Sequence, residues 1–153
     1  MSTVTSNQTQ PTPEQVGQAM WAKDTASIGL GMKLEKIKPG YALISMTVRA
    51  DMLNGHQTCH GGFLFALADS TFAFACNSHN LVTVASGCTI DFVAPGREGD
   101  VLEAEAVERH LAGRTGVYDV TVRVRGGHTL ALFRGKSYRI KGEIIETEVS
   151  KSL

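Results

Sequence analysis

The chain has 153 residues, 42% hydrophobic and 20% charged, which is enough to enclose one hydrophobic core and is typical of a folded domain. Its 15 basic residues balance its 15 acidic residues, which excludes a global field that would attract nucleic acid or an anionic membrane. The 3 cysteines lie far apart without a CxxC spacing, which argues against zinc or a redox pair and favours a reducing compartment.

The chain begins with a polar arm and a short helix. Residues 1–11 are predicted to be disordered, and they show neither the basic start nor the apolar core of a signal peptide. The segment TPEQVGQAMWAKD predicts a helix with Thr12 as N-cap, Pro13 at its first position and Gln15 completing a capping box. Its buried side is expected to comprise Val16, Met20 and Trp21. No run of about 18 apolar residues indicates a membrane span, so a cytoplasmic location is expected.

Six strand-like segments surround one long apolar segment. MKLEKI and YALISMTV precede it and are joined by a turn at Lys38-Pro39-Gly40. Four strand-like segments follow the apolar segment and are joined by short connections: LVTVASGCTIDFVA, DVLEAEAVERHLA, TGVYDVTVRV and TLALFRGKSYRI. Short connections predict an antiparallel sheet, because parallel neighbours need long crossovers. The expected fold is α+β, an antiparallel sheet wrapped around a central helix, with one domain at 12–140 and a polar tail at 141–153.

The apolar segment at 59–78 carries one acidic side chain, Asp69, near its middle. If residues 61–76 are helical, the positions three, four and seven residues from Asp69 are all apolar or small. These positions are Gly62, Phe65, Ala66, Phe72, Ala73 and Cys76. Such surroundings raise the pKa of a carboxyl group by desolvation and suit a base or nucleophile shielded from water. The alternative is a buried carboxylate bonded to a structural partner, such as an arginine or a strand amide.

The sequence His60-Gly61-Gly62 stands where this helix is expected to begin. Unpaired N–H groups at a helix start carry partial positive charge, and glycine lets a ligand approach the backbone closely. Such an end can bind a phosphate or the oxyanion of an acyl-transfer transition state, so Gly61 and Gly62 are candidate ligand contacts. The alternative is an ordinary flexible entry into a helix.

The spacing of these two features indicates an oligomer. Asp69 lies eight residues after Gly61, which is about 12 Å along a helix. An attacking group and an oxyanion donor must both lie about 3 Å from one carbonyl, so a single helix cannot supply both. Two antiparallel copies bring Gly61 of one chain beside Asp69 of the other. The spacing therefore predicts a two-fold dimer with composite sites at its interface.

Metal and thiol chemistry are disfavoured by the sequence. His56 and His60 have the i, i+4 spacing of a metal pair, but Asn-Gly before them and Gly-Gly after them argue against a shared helical turn. Cys59 adjoins His60, yet neighbours on an extended segment point apart, which argues against a thiol nucleophile. No metal and no cofactor are therefore expected.

Basic and aromatic residues supply further candidates for substrate contacts. Four basic side chains either suit phosphate groups or are only solvated strand ends, namely Arg97, Arg134, Lys136 and Arg139. The phenylalanines of the apolar segment either line a pocket or pack in the core, namely Phe63, Phe65, Phe72 and Phe74. From these two sets, Phe72, Arg97 and Lys136 are taken as candidate substrate contacts.

Four segments carry a family resemblance in their order and spacing: HGGFLFALADSTFAFACNS, VASGCTIDFVAPGREGD, GVYDV and ALFRGKSYRI. They resemble the hotdog-fold acyl-CoA thioesterases, especially those of the phenylacetic acid degradation type (the PaaI group). The resemblance extends from about residue 53 to residue 140. It implies a sheet wrapped around the central helix, a tetramer of paired dimers and hydrolysis of acyl-CoA. The preference for phenylacetyl groups rests on the resemblance alone.

The resemblance also implies roles for individual residues. Asp69 is implied as the catalytic carboxylate, acting as nucleophile or as general base on water, and the Gly61 amide of the partner chain as the group that polarises the thioester carbonyl. His60 matches the histidine of the family's HGG element and orders the loop or the thioester. Asn54 matches an asparagine that helps to place the lytic water, and Ser86 lies near a position where some members use a hydroxyl. Coenzyme A belongs to the substrate.

Two other functions stay open at this point. A hotdog hydratase or dehydratase acting on enoyl thioesters requires a histidine with an acidic partner across the site. A non-catalytic acyl-CoA-binding module keeps the pocket and the Gly61 contact but does not depend on Asp69. A lone carboxylate in an apolar helix, together with a helix-end amide, fits hydrolysis better than either.

Overall fold

The computed structural model describes residues 9–148 and 150–152. The helices are α1 (Pro13–Trp21), α2 (Thr25–Gly29) and α3 (Gly61–Asn77), with short 3₁₀ turns at Ala50–Met52 and Ser150–Ser152. The strands are β1 (Lys33–Lys38), β2 (Tyr41–Thr47), β3 (Leu81–Phe92), β4 (Val101–Ala112), β5 (Thr115–Val124) and β6 (Thr129–Glu143). Most of the predicted N-terminal arm, residues 1–8, lies outside the described residues.

Helix α1 begins with the predicted capping box. The backbone N–H of Gln15 donates to Thr12 Oγ1 at 3.2 Å, and the N–H of Thr12 donates to Gln15 Oε1 at 2.9 Å. Val16 is fully buried, and the ring of Trp21 packs against Phe74 of α3 with centroids 5.7 Å apart. These contacts confirm the predicted start and the buried side of the helix. The short helix α2 was not predicted, and Asp24 caps it.

The six strands form one antiparallel sheet in the order β1-β2-β4-β5-β6-β3, which confirms the predicted pairing direction. Strands β3 and β4 follow each other in the chain but are not neighbours in the sheet, because β3 pairs with β6 at the far edge. Helix α3 carries the chain across the sheet from β2 to this edge, and residues 93–100 lead it back to β4. Strand β3 therefore has a neighbour on one side only.

The sheet wraps around α3, as the all-round apolar character of that helix predicts. The side chain of Phe72 is 1% exposed and packs against the rings of Tyr118 and Phe133. A Cβ at Gly135 would lie 2.8 Å from the Phe72 ring, so the glycine makes room for this ring against β6. The α+β prediction, a sheet around a central helix, is confirmed.

The folded domain extends slightly beyond the predicted boundary at residue 140. Strand β6 continues to Glu143. Asn80, between α3 and β3, then holds the following residues: its Oδ1 accepts the N–H of Ile145 at 2.8 Å, and its Nδ2 donates to the Ile145 carbonyl at 3.0 Å. The first part of the predicted tail is therefore attached to the domain. Among the described residues, no helix is long and apolar enough to cross a membrane.

Candidate active site

The N-terminus of α3 is capped by the residue that precedes it. His60 has extended backbone angles (φ −60°, ψ 134°), and its Nδ1 accepts the N–H of Gly62 at 2.9 Å. The His60 carbonyl accepts the N–H of Phe63 at 3.0 Å. The N–H of Gly61 has no acceptor within the part of the chain that the structure describes. One donor in the first turn of α3 thus stays available to a ligand.

A cavity of about 410 Å³ opens beside this free amide. It is lined by Gly61 and Leu64 of α3, by residues that precede this helix, by Phe92 at the end of β3 and by the segment that follows β3. The Phe92 side chain is 53% exposed, and its ring lies 3.0 Å from where a Cβ at Gly61 would be. The absence of a side chain at Gly61 therefore allows an aromatic ring to lie against the backbone at the start of the helix. The sequence analysis missed Phe92, although its apolar run before Pro95-Gly96 marked the end of a strand.

Asn54 lines this cavity and organises the turn that leads to α3. Its Oδ1 accepts the N–H groups of His56 at 2.9 Å and Thr58 at 3.2 Å, and its Nδ2 donates to Thr58 Oγ1 at 2.9 Å. Backbone bonds continue this support, since the N–H of His60 donates to the Met52 carbonyl at 2.8 Å. The turn therefore holds the entry of α3 and one wall of the cavity together.

Asp69 lies in the middle of α3 and is half-buried. Burial raises the pKa of its carboxyl group above the ordinary value of 3.8. It makes no hydrogen bond or ion pair with any of the described residues, so no structural partner within residues 9–148 and 150–152 accounts for it. It does not line the Gly61 cavity. Within one chain, the Asp69 carboxylate and the free amide of Gly61 are therefore apart.

The cysteines are held in their protonated form. Burial raises the pKa of the Cys59 thiol to about 11 and that of Cys76 to about 12. The pKa of Cys88 is also raised, first by burial and then by the charge of Asp69. The thiolate is the nucleophilic form, so none of these groups is activated for attack at neutral pH. The described residues contain no group of three or more histidine, cysteine or acidic side chains that could hold a metal ion.

The remaining predicted contacts do not line the Gly61 cavity. Ser86 is exposed on β3, and its Oγ donates to the Lys136 carbonyl at 3.2 Å. Arg97 is exposed in the loop after the cavity, and Lys136 is exposed on β6. Phe72 fits the core alternative that the sequence left open, since it is enclosed by the sheet.

Comparisons with known proteins agree with this architecture. A family model described as the thioesterase superfamily matches residues 56–131. The acyl-coenzyme A thioesterase PaaI of Escherichia coli K12 is 53% identical over 126 residues, which cover 82% of this chain and 90% of that protein. The structure of the E. coli PaaI protein from the phenylacetic acid degradation operon superposes with a TM-score of 0.84 at 51% identity, covering 86% of this chain and 95% of that one.

A more distant structure contains the cofactor portion of such substrates. It is a hypothetical thioesterase protein from Streptococcus pneumoniae TIGR4 with coenzyme A, with a TM-score of 0.69 at 25% identity, covering 73% of this chain and 87% of that one. An antiparallel sheet closed around one helix, with these similarities, defines a hotdog-fold thioester hydrolase. The chain belongs to the thioesterase superfamily, among its PaaI-type acyl-CoA thioesterases.

Proposed function

We propose that the protein hydrolyses the thioester of an aryl-acetyl-CoA, of the phenylacetyl-CoA or hydroxyphenylacetyl-CoA type, to the free acid and coenzyme A. The observation that carries the chemistry is Asp69, a carboxylate without a partner among the described residues, whose pKa is raised by burial. The aryl-acetyl preference is supported by the 51% identity with a protein from a phenylacetic acid degradation operon. The proposed location of the reaction is the cytoplasm.

The proposed site is composite and lies between two copies of the chain. The Gly61 cavity does not include Asp69, and about 12 Å of helix separates the two residues. Strand β3 has one free edge, and it exposes Val84 (43%) and Phe92 (53%). A long exposed edge strand with apolar side chains is a surface that proteins normally cover. A second copy pairing along β3 covers it and supplies Asp69 to the Gly61 of its partner.

Two such dimers are proposed to form a tetramer. Strand β6 exposes three large apolar side chains, each to 42–48%, with Arg134 and Lys136 between the first and the second: Leu132, Tyr138 and Ile140. Exposed apolar surface of this kind marks protein interfaces. These three side chains provide apolar contacts between dimers, and the charged side chains between them stay at the margin.

In the proposed mechanism, the thioester carbonyl accepts the free N–H of Gly61, which stabilises the oxyanion. Asp69 of the partner subunit then either attacks the carbonyl carbon and forms a mixed anhydride, or removes a proton from water that attacks directly. In the first route the coenzyme A thiolate leaves as the anhydride forms, and water then hydrolyses the anhydride, which releases the carboxylate and regenerates Asp69. In the second route the attacking water supplies the oxygen of the carboxylate, and the proton taken by Asp69 is passed to the departing thiolate. Burial raises the pKa of Asp69, and a higher pKa makes its carboxylate a stronger base toward water.

His60 and Asn54 are proposed to support this reaction from the Gly61 side. His60 occupies the N–H of Gly62, which orients the first turn of α3 and leaves the Gly61 N–H for the substrate. One N–H of the Asn54 amide is used on Thr58, and the second is proposed to bind the lytic water. Gly62 and Ser86 are proposed to border the path of the substrate.

The phosphates of coenzyme A are proposed to contact Arg97 and Lys136. Both side chains are exposed, and neither forms an ion pair with a described residue. Arg134, by contrast, is committed to Asp119, with Nε and Oδ1 2.7 Å apart. Pro95 lines the Gly61 cavity, and Arg97 is two residues further along the chain. The long Arg97 side chain is therefore close enough to contact the phosphate end of a substrate bound in this cavity.

The two alternative functions have less support. Among the described residues, the histidine with an acidic partner is His79, whose Nε2 lies 2.8 Å from Glu108 Oε2. His79 follows the C-terminal end of α3 and Glu108 lies on β4, while the free amide of Gly61 is at the N-terminal end of α3. The pair therefore does not provide the hydratase arrangement at the Gly61 cavity. A binding module that performs no chemistry does not require Asp69. Burying this carboxylate without a partner among the described residues destabilises the fold.

The experiment that tests the proposal measures thiol release from a panel of acyl-CoAs by the wild type and by Asp69→Asn. The panel runs from acetyl through medium-chain to phenylacetyl and hydroxyphenylacetyl groups. We expect the aryl-acetyl thioesters to be the best substrates and the variant to lose about 10²–10⁴-fold in kcat. Asp51→Asn is the matched control, because Asp51 is an exposed carboxylate paired with Arg49.

Equal turnover by wild type and Asp69→Asn overturns the catalytic assignment. A preference for straight-chain substrates retains the thioesterase chemistry but overturns the aryl-acetyl proposal. Binding of a non-hydrolysable acyl-CoA thioether, measured by calorimetry, separates lost chemistry from lost binding. We expect Asp69→Asn to bind the thioether as well as the wild type does.

A further inference from the structure

A second cavity lies at the opposite end of α3 from Gly61. Its volume is about 40 Å³, and it is lined by residues that include Cys76, Thr83, Arg114, Tyr118, Ser137 and Arg139. Cys76 lies 15 residues after Gly61, which is about 22 Å along the helix. A water molecule needs roughly 10–15 Å³ of such volume, so the cavity holds a few small atoms and excludes an acyl chain or a nucleotide.

Ser137 provides the evidence that something binds there. It is 1% exposed on β6, and its Oγ is the one buried side-chain polar atom in the described part of the chain without a hydrogen-bond partner. The hydroxyl lies over the neighbouring strand, since a Cβ at Gly116 would be 2.7 Å from it. Buried hydroxyl groups almost always have partners, because leaving one without a partner is unfavourable. Ser137 lines the cavity, and a group bound there would provide the partner that its hydroxyl lacks among the described residues.

Two arginines, Arg114 and Arg139, line this cavity, and hydrogen bonds hold them next to each other. Arg114 Nη1 donates to the Arg139 carbonyl at 3.1 Å, and the N–H of Arg139 donates to the Arg114 carbonyl at 2.7 Å. Neither guanidinium group is paired with a carboxylate among the described residues. Five other arginines have such partners, namely Arg49, Arg109, Arg123, Arg125 and Arg134. Arg97, in the loop before β4, has no such partner among the described residues either. Two unpaired guanidinium groups beside a buried hydroxyl favour an anion.

The acceptors near the cavity are already engaged. Glu108 does not line it, and its Oε2 takes hydrogen bonds from Tyr118 Oη at 2.7 Å and from His79 Nε2 at 2.8 Å. The Thr83 hydroxyl donates to the Leu81 carbonyl at 2.7 Å. The Cys76 thiol, whose pKa burial raises to about 12, is uncharged. The cavity is therefore rich in donors and presents no negative charge of its own.

We propose that this cavity is a binding site for a small monovalent anion, either a halide or a short carboxylate such as acetate. The Ser137 hydroxyl donates to the anion from below, and the Arg114 and Arg139 guanidinium groups hold it from the rim. The anion connects the end of α3 to β6 and to the turn between β4 and β5. The site is independent of the proposed hydrolysis at Gly61 and Asp69.

The first test is thermal unfolding at constant ionic strength, with sodium bromide, sodium acetate or sodium gluconate as the salt. Gluconate is too large for the cavity and serves as the reference. We expect the Tm to rise with bromide or acetate as the concentration passes the Kd, because a ligand that binds only the folded state stabilises it. The salt that produces the rise shows whether the ligand is a halide or a carboxylate.

Three variants make this test specific. Ser137→Ala and Arg139→Gln are expected to lose most of the anion-dependent rise in Tm. Arg109→Gln is the control, because it removes an arginine that lies in another part of the surface and pairs with Asp119. An equal rise in all variants, or no rise in the wild type, overturns the proposal.

A crystal of the wild type grown with bromide provides a second measurement that depends on no variant. We expect an anomalous peak within hydrogen-bond distance of Ser137 Oγ. Acetate-grown crystals are expected to show planar density there if the ligand is a carboxylate. Water alone at Ser137 in both crystals overturns the proposal. Neither measurement uses turnover, so a failure here is distinguishable from a failure of the proposed hydrolysis.

Discussion

His60 Nδ1 accepts the backbone N–H of Gly62 at 2.9 Å, and this bond distinguishes the two glycines that follow it. The amide of Gly62 is used to cap α3, whereas the amide of Gly61 has no acceptor among the described residues. Gly61 also allows the Phe92 ring to lie against the start of the helix. The pair of glycines therefore combines a structural role with a proposed catalytic one.

The Gly61 amide can be removed without breaking the helix. Proline is well tolerated at the first position of a helix, and the residue before a proline must be extended, as His60 is with φ −60° and ψ 134°. Gly61→Pro therefore deletes the proposed oxyanion donor while keeping the backbone path. We expect kcat to fall by about 10²–10³-fold in an acyl-CoA hydrolysis assay.

Gly61→Ala is the matched control for this prediction. It adds a Cβ that meets the Phe92 ring at 3.0 Å, as the proline does, but it keeps the N–H. We expect the exposed Phe92 side chain to shift and the loss of kcat to be much smaller than in Gly61→Pro. Similar losses in the two variants contradict the role of the amide and assign the effect to the steric contact.

The composite site predicts complementation between two inactive variants. In a mixed dimer of Gly61→Pro and Asp69→Asn, one site carries both substitutions and the other carries neither. Random mixing of equal amounts, followed by refolding or co-expression, is expected to restore about a quarter of the wild-type activity, because half of the dimers are mixed and each has one intact site. Activity no greater than that of the separate variants indicates that Gly61 and Asp69 act within one chain or not together.

Asp69 is also expected to lower the stability of the fold at neutral pH. Burial raises its pKa in the folded state above the ordinary value of 3.8, so the folded protein favours the protonated form. The protonated Asp69 carboxyl therefore adds to the free energy of unfolding at a pH below its pKa in the unfolded chain. This contribution is lost as the pH rises through the pKa of Asp69 in the folded protein. Asp69→Asn removes this loss and should have a higher Tm than the wild type at pH 7.

The pH dependence of this difference is the decisive measurement. We expect the Tm difference between Asp69→Asn and wild type to narrow as the pH falls below the folded pKa of Asp69, where the wild-type carboxyl is also neutral. Asp51→Asn, at an exposed position, should show no such trend. A Tm for Asp69→Asn below that of the wild type at pH 7 means that Asp69 has a stabilising partner, for example in the partner subunit.

The contact between Gly135 and Phe72 predicts a packing effect away from the site. A Cβ at Gly135 would lie 2.8 Å from the Phe72 ring, which is 1% exposed and cannot move aside freely. Gly135→Ala is therefore expected to lower the free energy of unfolding by about 1–3 kcal/mol, measured by urea denaturation. Gly29→Ala, where no atom lies within 4 Å of the added Cβ, is the control and should unfold nearly like the wild type.

A second substitution checks the assignment of this strain. Phe72→Leu removes ring atoms that the added methyl group meets, so the double variant should lose less stability than the sum of the two single variants. Additive losses mean that the two residues do not share a packing contact, and the close approach between Gly135 and Phe72 is then not the cause.

Local patterns were sufficient to predict α1, α3 and the six strands, and to identify Asp69 and Gly61 as candidate site residues. The capping box at Thr12 and Gln15, the apolar helix around Asp69 and the alternation of β5 depend on residues within a few positions of one another. The isolation of Asp69 was also visible in sequence, because its helical neighbours are all apolar or small. These features follow from the side-chain periods of about 3.6 residues in a helix and 2 residues in a strand, which can be recognised in the sequence alone.

Only the tertiary structure decided which distant residues meet. Strand β3 lies beside β6 because α3 crosses the sheet before β3 begins, and no local pattern encodes that choice. For the same reason Phe72 is enclosed by β5 and β6, whereas Phe92 lies on the Gly61 cavity, although both are phenylalanines in apolar runs. The buried hydroxyl of Ser137 likewise depends on the close approach of β5 and β6. Sequence sets the character of each segment, and long-range packing decides which side chains become core, cavity wall or unpartnered polar group.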